Sequence, residues 1–466
     1  MKDVQKQAAR RQMMLQDPIP KVVVKMAIPT IVAFLITSIY SLADTYFVSN
    51  LGTEATAAVS VNSSLDQLIM MTGSLLAVGA NSFIARLLGR GDDKKASQVL
   101  STAFFLALGL SLLLTVFGSI FIGPMVDLLG ATPTCRQYSI EYASYVLLAA
   151  PFMATSFVMN QCLRSEGSAT LSMIGMGFGG ILNCILDPFF INGFAPLGLP
   201  AMGVAGASLA TAISKIVSFG ILIFPYLTRR SMLHLSIRNF KFSWEIIKEI
   251  VSIGSSSMFR SGLAVVSAIL LNDLAGNISD SVLAGIGVSN RVMMFPFSII
   301  LGFGTGFQPV AGFNWGAKSY DRVKESYRFA ARTAILGGVV MAVTLAISAK
   351  GVIGLFSEND PALTQLGALC IRLQCIALPI HGWVAVVNMF CSGLGNARGA
   401  VVLSTARQGS CMLPIMYPMA WIFGAIGVVS VQAVADVLTL ALAIPIIITM
   451  QKKVDAAKLA LTTETA

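Results

Sequence analysis

The sequence predicts an all-α integral membrane protein: twelve transmembrane helices in two pseudo-symmetric six-helix bundles around a central cavity. Three observations carry that expectation. Hydrophobic residues make up 55% of the 466 and charged residues only 12%, against about 25% charged in soluble domains. Apolar runs of about 20 residues, the length that crosses a bilayer, follow one another nearly throughout, with room for about twelve. Lys and Arg gather in alternate loops, the bias that orients a polytopic protein.

The lead-in, residues 1–21, is polar and basic, has no short apolar segment with a small-residue cleavage site, and reads as a cytoplasmic tail. The first span, Met26 to Asn50, follows Lys21 and Lys25. It carries Pro29, which removes a backbone hydrogen bond and can bend a helix, and Asp44. An ionisable group in a span costs roughly 2.5–3.5 kcal/mol on insertion scales, so it must face a bundle interior or a watery cavity. Further spans are expected near 55–88, 97–129, 138–163, 169–190 and 204–227. They complete an N-lobe over 22–228. A polar segment, 229–243, with Arg229, Arg230, Arg238 and Lys241, is the expected cytoplasmic linker. The C-lobe, 244–450, holds spans near 246–275, 281–314, 324–349, 363–393, 400–423 and 426–450, and the tail is 451–466. Basic residues crowd the tails and the loops after the second, sixth and eighth spans, so both termini are expected in the cytoplasm, with the chain in the cell inner (plasma) membrane.

The halves repeat. GANSFIARLLGRGDDKKA (79–96) lies over GFQPVAGFNWGAKSYDRV (306–323), and LRSEGSA before the fifth span resembles SGLGNA before the eleventh. The common offset is about 227 residues. Six spans per half, both starting inside, make the repeat parallel, an architecture that works by rocking one bundle against the other.

Depth turns spacing into chemistry. The first and fifth spans both run outward, and Asp44 and Asp187 lie about 19 and 20 residues along them, hence at nearly one height. Asn183 is one turn from Asp187 on the same face, and Thr211 falls at a similar height in the sixth span. Two acids, an amide and a hydroxyl could supply oxygen ligands to a monovalent cation such as Na+. Alternatively the acids could form a proton-binding pair, since burial and a nearby carboxylate both disfavour the charged form. Taken singly, each acid could instead snorkel or cap a helix. The repeat speaks for a site: the corresponding second-half positions fall near Cys411 and Ile415, neither of them acidic.

Asp66, Gln67, Lys215, Arg260, Asp273, Arg291 and Asp436 also lie in or near apolar runs and read as structural groups, some of them paired. His381, with no ligand partners nearby, reads as a hydrogen-bonded core residue. The seven cysteines lie mostly in apolar runs without CxxC spacing and read as small core residues. No Walker A, HExxH or GxSxG sequence is present, so ATP-driven pumping and hydrolysis lack their residues, and no enzyme activity or cofactor is expected. The net charge of +10 sits in loops rather than in a soluble module, which argues against nucleic acid.

Three motifs, SLADTYFVSNLGTEATAAVSV around Asp44, GSATLSMIGMGFGGILNCILDPFFI followed by GVAGASLATAIS, and GFGTGFQPVAGFNWGAK in the second half, carry a resemblance. With them the chain resembles the multidrug and toxic compound extrusion (MATE) transporters along nearly its whole length. The resemblance implies two six-helix lobes and export of cationic or amphipathic compounds by antiport with H+ or Na+. Of the family's branches it is most similar to the DinF-like one, whose N-lobe pocket residues match Asp44, Asn183, Asp187 and Thr211, with Tyr40 as pocket tyrosine and Pro29 as the bending proline. The acids that the NorM-like branch places in C-lobe helices have no evident match; Arg260, Asp273, Arg372 and His381 stand there instead. A monomer amid membrane lipids is expected. The alternatives are a flippase for lipid-linked saccharides, which would want a cationic cavity, and a receptor or channel without coupled transport, which the repeat disfavours.

Overall fold

The computed structural model describes residues 2–193, 200–354 and 361–465. The middle of the loop after the fifth span and the residues bearing Glu358 and Asp360 lie outside the described residues. Among the described residues the ordered elements are all helical. They are α1 (Lys2–Gln16), α2 (Ile19–Ser49), α3 (Thr53–Arg90), α4 (Asp93–Ile120), α5 (Ile122–Leu128), α6 (Arg136–Ser165), α7 (Ala169–Asn192), α8 (Gly203–Leu227), α9 (Trp244–Gly276), α10 (Asp280–Gly316), α11 (Tyr320–Gly354), α12 (Pro361–Gly393), α13 (Ala397–Thr405) and α14 (Met412–Thr465).

Among the described residues eleven stretches are long and apolar enough to cross a membrane. The last, which runs through α13 and α14, makes two passes. Gly424 leaves helical geometry with φ 55°, and a Cβ on Gly427 would lie 1.9 Å from the Met419 carbonyl oxygen. Eight residues of straight helix would separate those positions by about 12 Å, so the chain doubles back there. The expected division between 400–423 and 426–450 is therefore observed, and among the described residues the membrane-length passes number twelve. The third span is shorter than expected. α4 ends at Ile120, and α5 forms a separate turn, beside which Arg136 Nε donates to Asp127 Oδ1 at 2.7 Å.

The repeat holds at the level of single hydrogen bonds. Asn62 Nδ2 donates to the Ser139 carbonyl at 3.1 Å, and Ser289 Oγ to the Gly367 carbonyl at 3.1 Å. Asn160 Nδ2 reaches the Ser172 carbonyl at 2.9 Å, and Asn388 Nδ2 the Ala400 carbonyl at 3.3 Å. The turns before α7 and α13 are alike as well: Gly167 and Gly395 take φ 84° and 80°, where a side chain is disfavoured. Each is followed by a closing bond of 2.8 Å, Ser168 N to Leu163 O and Asn396 N to Cys391 O. Partners in each pair are offset by about 227–228 residues.

The chain divides into two compact units. One comprises Met1–Met13 and Val32–Gly254, the other Met14–Ile31 and Ser255–Ala466. The expected seam in 229–243 is thus not where the units part. α2 divides between Ile31 and Val32, two residues past Pro29, and α9 divides between Gly254 and Ser255. Glycine explains how the borrowed half-helices are held. Within the first unit a Cβ on Gly79 would meet the Ile250 carbonyl oxygen at 1.9 Å, and one on Gly254 the Leu75 carbonyl oxygen at 1.7 Å. In the second unit a Cβ on Gly306 would stand 2.6 Å from the Ala27 Cα, and one on Gly302 2.7 Å from the Ile31 Cα. Backbones that close admit no side chain.

The lead-in is largely helical. Within the first unit α1 lies on the loop ends: Arg10 pairs with Glu166 at 3.1 Å, Arg11 with Asp93 at 2.6 Å, and Gln7 Nε2 donates to the Ser231 carbonyl at 2.8 Å. The segment 229–243 is tied down too, by Ser231 Oγ and the Met232 N–H, both donating to Glu166 Oε2 at 2.6 Å.

Candidate functional site

Asp44 and Asp187 each sit five residues before the ends of their helices, α2 at Ser49 and α7 at Asn192. At 1.5 Å per residue both lie about 7–8 Å from those ends. One turn further in come Tyr40 and Asn183, about 13–14 Å from the same ends, and Thr211, about 12 Å into α8. α-Helical spacing places Asn183 and Asp187 on one face, and the side chains meet: Asn183 Nδ2 donates to Asp187 Oδ1 at 3.2 Å and to Thr211 Oγ1 at 3.2 Å. The long connection between α7 and α8 does not prevent Thr211 from joining the group. Asp187 is fully buried and Asn183 is 2% exposed.

The structure adds residues that sequence reasoning set aside. Lys215, one turn beyond Thr211 on α8, donates to the Tyr40 hydroxyl at 3.1 Å and lies 5.0 Å from that ring's centroid. Asp44 lies within electrostatic reach of Lys215, Asp66 and Asp187. Tyr142 on α6, buried, lies within electrostatic reach of the same three acids and Tyr40. Gly180 makes room for Tyr40, since a Cβ there would stand 3.1 Å from the ring. Counting depth would have found two of these: Asp66 is about 20 Å into α3 and Lys215 about 18 Å into α8, one level on two helices that run the same way, inward. Tyr142 carried no such signal, because tyrosine is common in apolar spans.

Four oxygens of the group, Asp44 Oδ1, Asp66 Oδ1, Asn183 Oδ1 and Asp187 Oδ2, are buried and accept no hydrogen bond from the described residues. Buried polar atoms are rarely left so. Nor does the fold demand them. At the repeat-equivalent positions of the second unit stand Leu271 for Asp44, Met293 for Asp66, Cys370 for Tyr142, Cys411 for Asn183 and Ile415 for Asp187. Leu271, Cys370, Cys411 and Ile415 belong to one apolar core cluster there. The same frame stands with apolar residues in place of the acids, so the polar set serves something other than packing. Its carboxylate, amide and hydroxyl oxygens are the donor types a hard cation takes. Among the described residues no three His, Cys, Asp or Glu side chains come together to hold a metal ion, so a bound cation would rely on Asn183 and Thr211 as well as the acids.

Among the described residues the second unit offers nothing comparable for a cation. Asp273 is exposed and accepts from Asn277 Nδ2 at 3.5 Å, Arg291 is exposed, and Arg372 donates to the Ala346 carbonyl at 3.4 Å. Asp436 is paired with Arg407 at 2.7 Å and lies 3.5 Å from His381 Nδ1. The cysteines are free thiols, six buried and Cys184 half-buried.

Comparisons with known proteins agree with this architecture. The MatE family model matches residues 29–189 and 257–422. The chain is 28% identical to the multidrug export protein MepA of Staphylococcus saprophyticus over 414 residues, 88% of this chain and 89% of that one. It superposes with TM-score 0.88 and 25% identity on a crystal structure of MATE in complex with MaL6, covering 96% of this chain and 99% of that one. The outward-facing conformation of a multidrug resistance MATE family transporter of the MOP superfamily matches with the same TM-score and identity, over 96% and 98%. With two stretches covering most of its length and both halves of its repeat, the chain belongs to the MatE family of membrane transporters.

Proposed function

We propose that this protein is a secondary active multidrug efflux transporter of the DinF-like kind, which exports cationic or amphipathic compounds by antiport with H+ or Na+ across the plasma membrane. The observation that carries the reading is the set of four buried oxygens without hydrogen-bond partners, on three acids and an amide, beside a single lysine. Three carboxylates against one ammonium leave an acidic interior that attracts either a small coupling cation or a cationic drug. Occupancy by one disfavours the other, which is the requirement for exchange. MepA relatives, which bear the name multidrug export protein, support the drug as cargo.

Loading the site with H+ or Na+ changes α2 near Pro29, and the division of α2 just past that proline supports a hinge there. The cargo is then released outward. One charge crossing 100 mV is worth about 2.3 kcal/mol, enough for roughly fifty-fold uphill transport. The loop charges support cytoplasmic termini, and one chain with its lipids suffices for the cycle. The reading is tested by drug efflux from proteoliposomes under a Na+ gradient alone and then under a pH gradient alone. Efflux driven by at least one is expected; efflux driven by neither overturns the coupling.

A further inference from the structure

The second unit holds a cavity of about 280 Å³ whose character is the opposite of the acidic group in the first. Its walls are apolar where Phe297, Ile300, Leu301 and Val384 face it, and two arginines, Arg260 and Arg407, line it as well. Arg407 is held firmly. Its Nε donates to Asp436 Oδ1 at 2.7 Å and its guanidinium carbon lies 4.6 Å from the Phe297 ring centroid, yet its Nη2 is buried without a hydrogen-bond partner among the described residues. Arg260 Nη2 donates to Ser257 Oγ at 3.1 Å, and among the described residues no carboxylate lies within salt-bridge distance of it.

The backbone is shaped around Arg407. Ala406–Ser410 forms a π-turn between α13 and α14, with Ser267 Oγ donating to the Gln408 carbonyl. Such turns are often found at functional sites. Its counterpart, α7, runs through the equivalent stretch as continuous α-helix. Nor does the repeat require these charges. The first-half equivalents of Arg260, His381, Arg407 and Asp436 are Ala33, Met153, Gly179 and Ser208.

We propose that this cavity is a binding site for a small organic carboxylate, with its apolar body among Phe297, Ile300 and Leu301 and its carboxylate between Arg407 and Arg260. Asp436 cancels one of the two guanidinium charges and leaves a net positive wall. An ammonium group is therefore repelled, while a carboxylate satisfies the unpartnered Arg407 Nη2 and the unpaired Arg260. Planar guanidinium donors match carboxylate oxygens in geometry as well as charge. The site is separate from the acids of the first unit, so it stands whether or not those acids couple transport.

The test is calorimetric titration of the full-length protein in lipid nanodiscs with benzoate, benzamide and benzylamine. Benzoate is expected to bind about tenfold or more tightly than benzamide, the margin of a hydrogen bond to a charged group, and benzylamine not to bind at this site. Arg260→Met is expected to lower benzoate affinity by about tenfold or more while leaving benzamide unchanged. Arg260→Lys, which keeps the charge and loses the planar fork, should fall between. Benzoate binding no tighter than benzamide to the unaltered protein overturns the proposal without recourse to any variant. So does Arg260→Met binding benzoate as tightly as the parent.

Discussion

Replacing Gly79 by alanine tests how α3 meets the first part of α9 within the first unit. The added Cβ would lie 1.9 Å from the Ile250 carbonyl oxygen and 2.8 Å from the Ile250 Cα. An ordinary carbon–oxygen contact is about 3.3–3.6 Å, so the two backbones must separate by roughly 1.4 Å or more. The obstacle is main chain in mid-helix, so no rotamer change relieves it. Overpacking of this kind costs about 1–3 kcal/mol, and a clash with backbone belongs at the upper end. At about 2–4 °C per kcal/mol for a unit of this size, a fall in Tm of roughly 6–12 °C is expected. The assay is thermal unfolding of the purified protein in detergent, with Gly109→Ala as control, because nothing stands within 4 Å of a Cβ there. A Gly79→Ala protein that melts with the parent and with Gly109→Ala would refute the close approach.

Asn183→Ala removes the donor shared by Asp187 and Thr211; a loss of about 1–3 kcal/mol in unfolding free energy is expected together with loss of gradient-driven export. Asp436→Asn leaves the half-buried Arg407 without its carboxylate and should cost about 3 kcal/mol, the lower end for a buried pair, most of it recovered in Asp436→Asn with Arg407→Gln, as read by thermal unfolding. Glu166, in the turn between α6 and α7, has its carboxyl pushed up from 4.5 chiefly by burial, against the opposing pull of Arg10, Ser231, Ser168 and the Met232 N–H. A raised folded-state value means its contribution is fully present below about 4.5 and is lost as pH rises through the folded value. Glu166→Gln should therefore flatten Tm against pH from 4.5 upward, and an unchanged profile would contradict that.

Much of the architecture was legible because spans announce themselves by length and composition, and loops by charge. The reversal at Gly424 and the paired turns at Gly167 and Gly395 were visible as breaks and as a repeat. The break at Phe121 was not, because residues on both sides of it are equally apolar. The exchange of half-helices between units was hidden as well: hydropathy gives where a helix begins and ends, not which neighbour its first half rests on. The same limit governed the site. Asp44, Asn183, Asp187 and Thr211 could be placed within about one turn of one another by counting, and Asn183 meets Asp187 as α-helical spacing requires. Lys215 and Tyr40, 175 residues apart, meet through the rotation of two helices about their axes, which a depth count cannot supply. The pairing of Arg407 with Asp436 was missed for a similar reason, since the π-turn that redirects Arg407 leaves no mark in the sequence pattern.

The account rests on acids of the first unit exchanging a small cation for cargo, and gradient-driven export by Asp44→Asn in proteoliposomes tests it most directly. That variant should fold as the parent does and export no faster than protein-free vesicles under either a Na+ or a pH gradient. Export at the parent's rate under the gradient that drives the parent would contradict it.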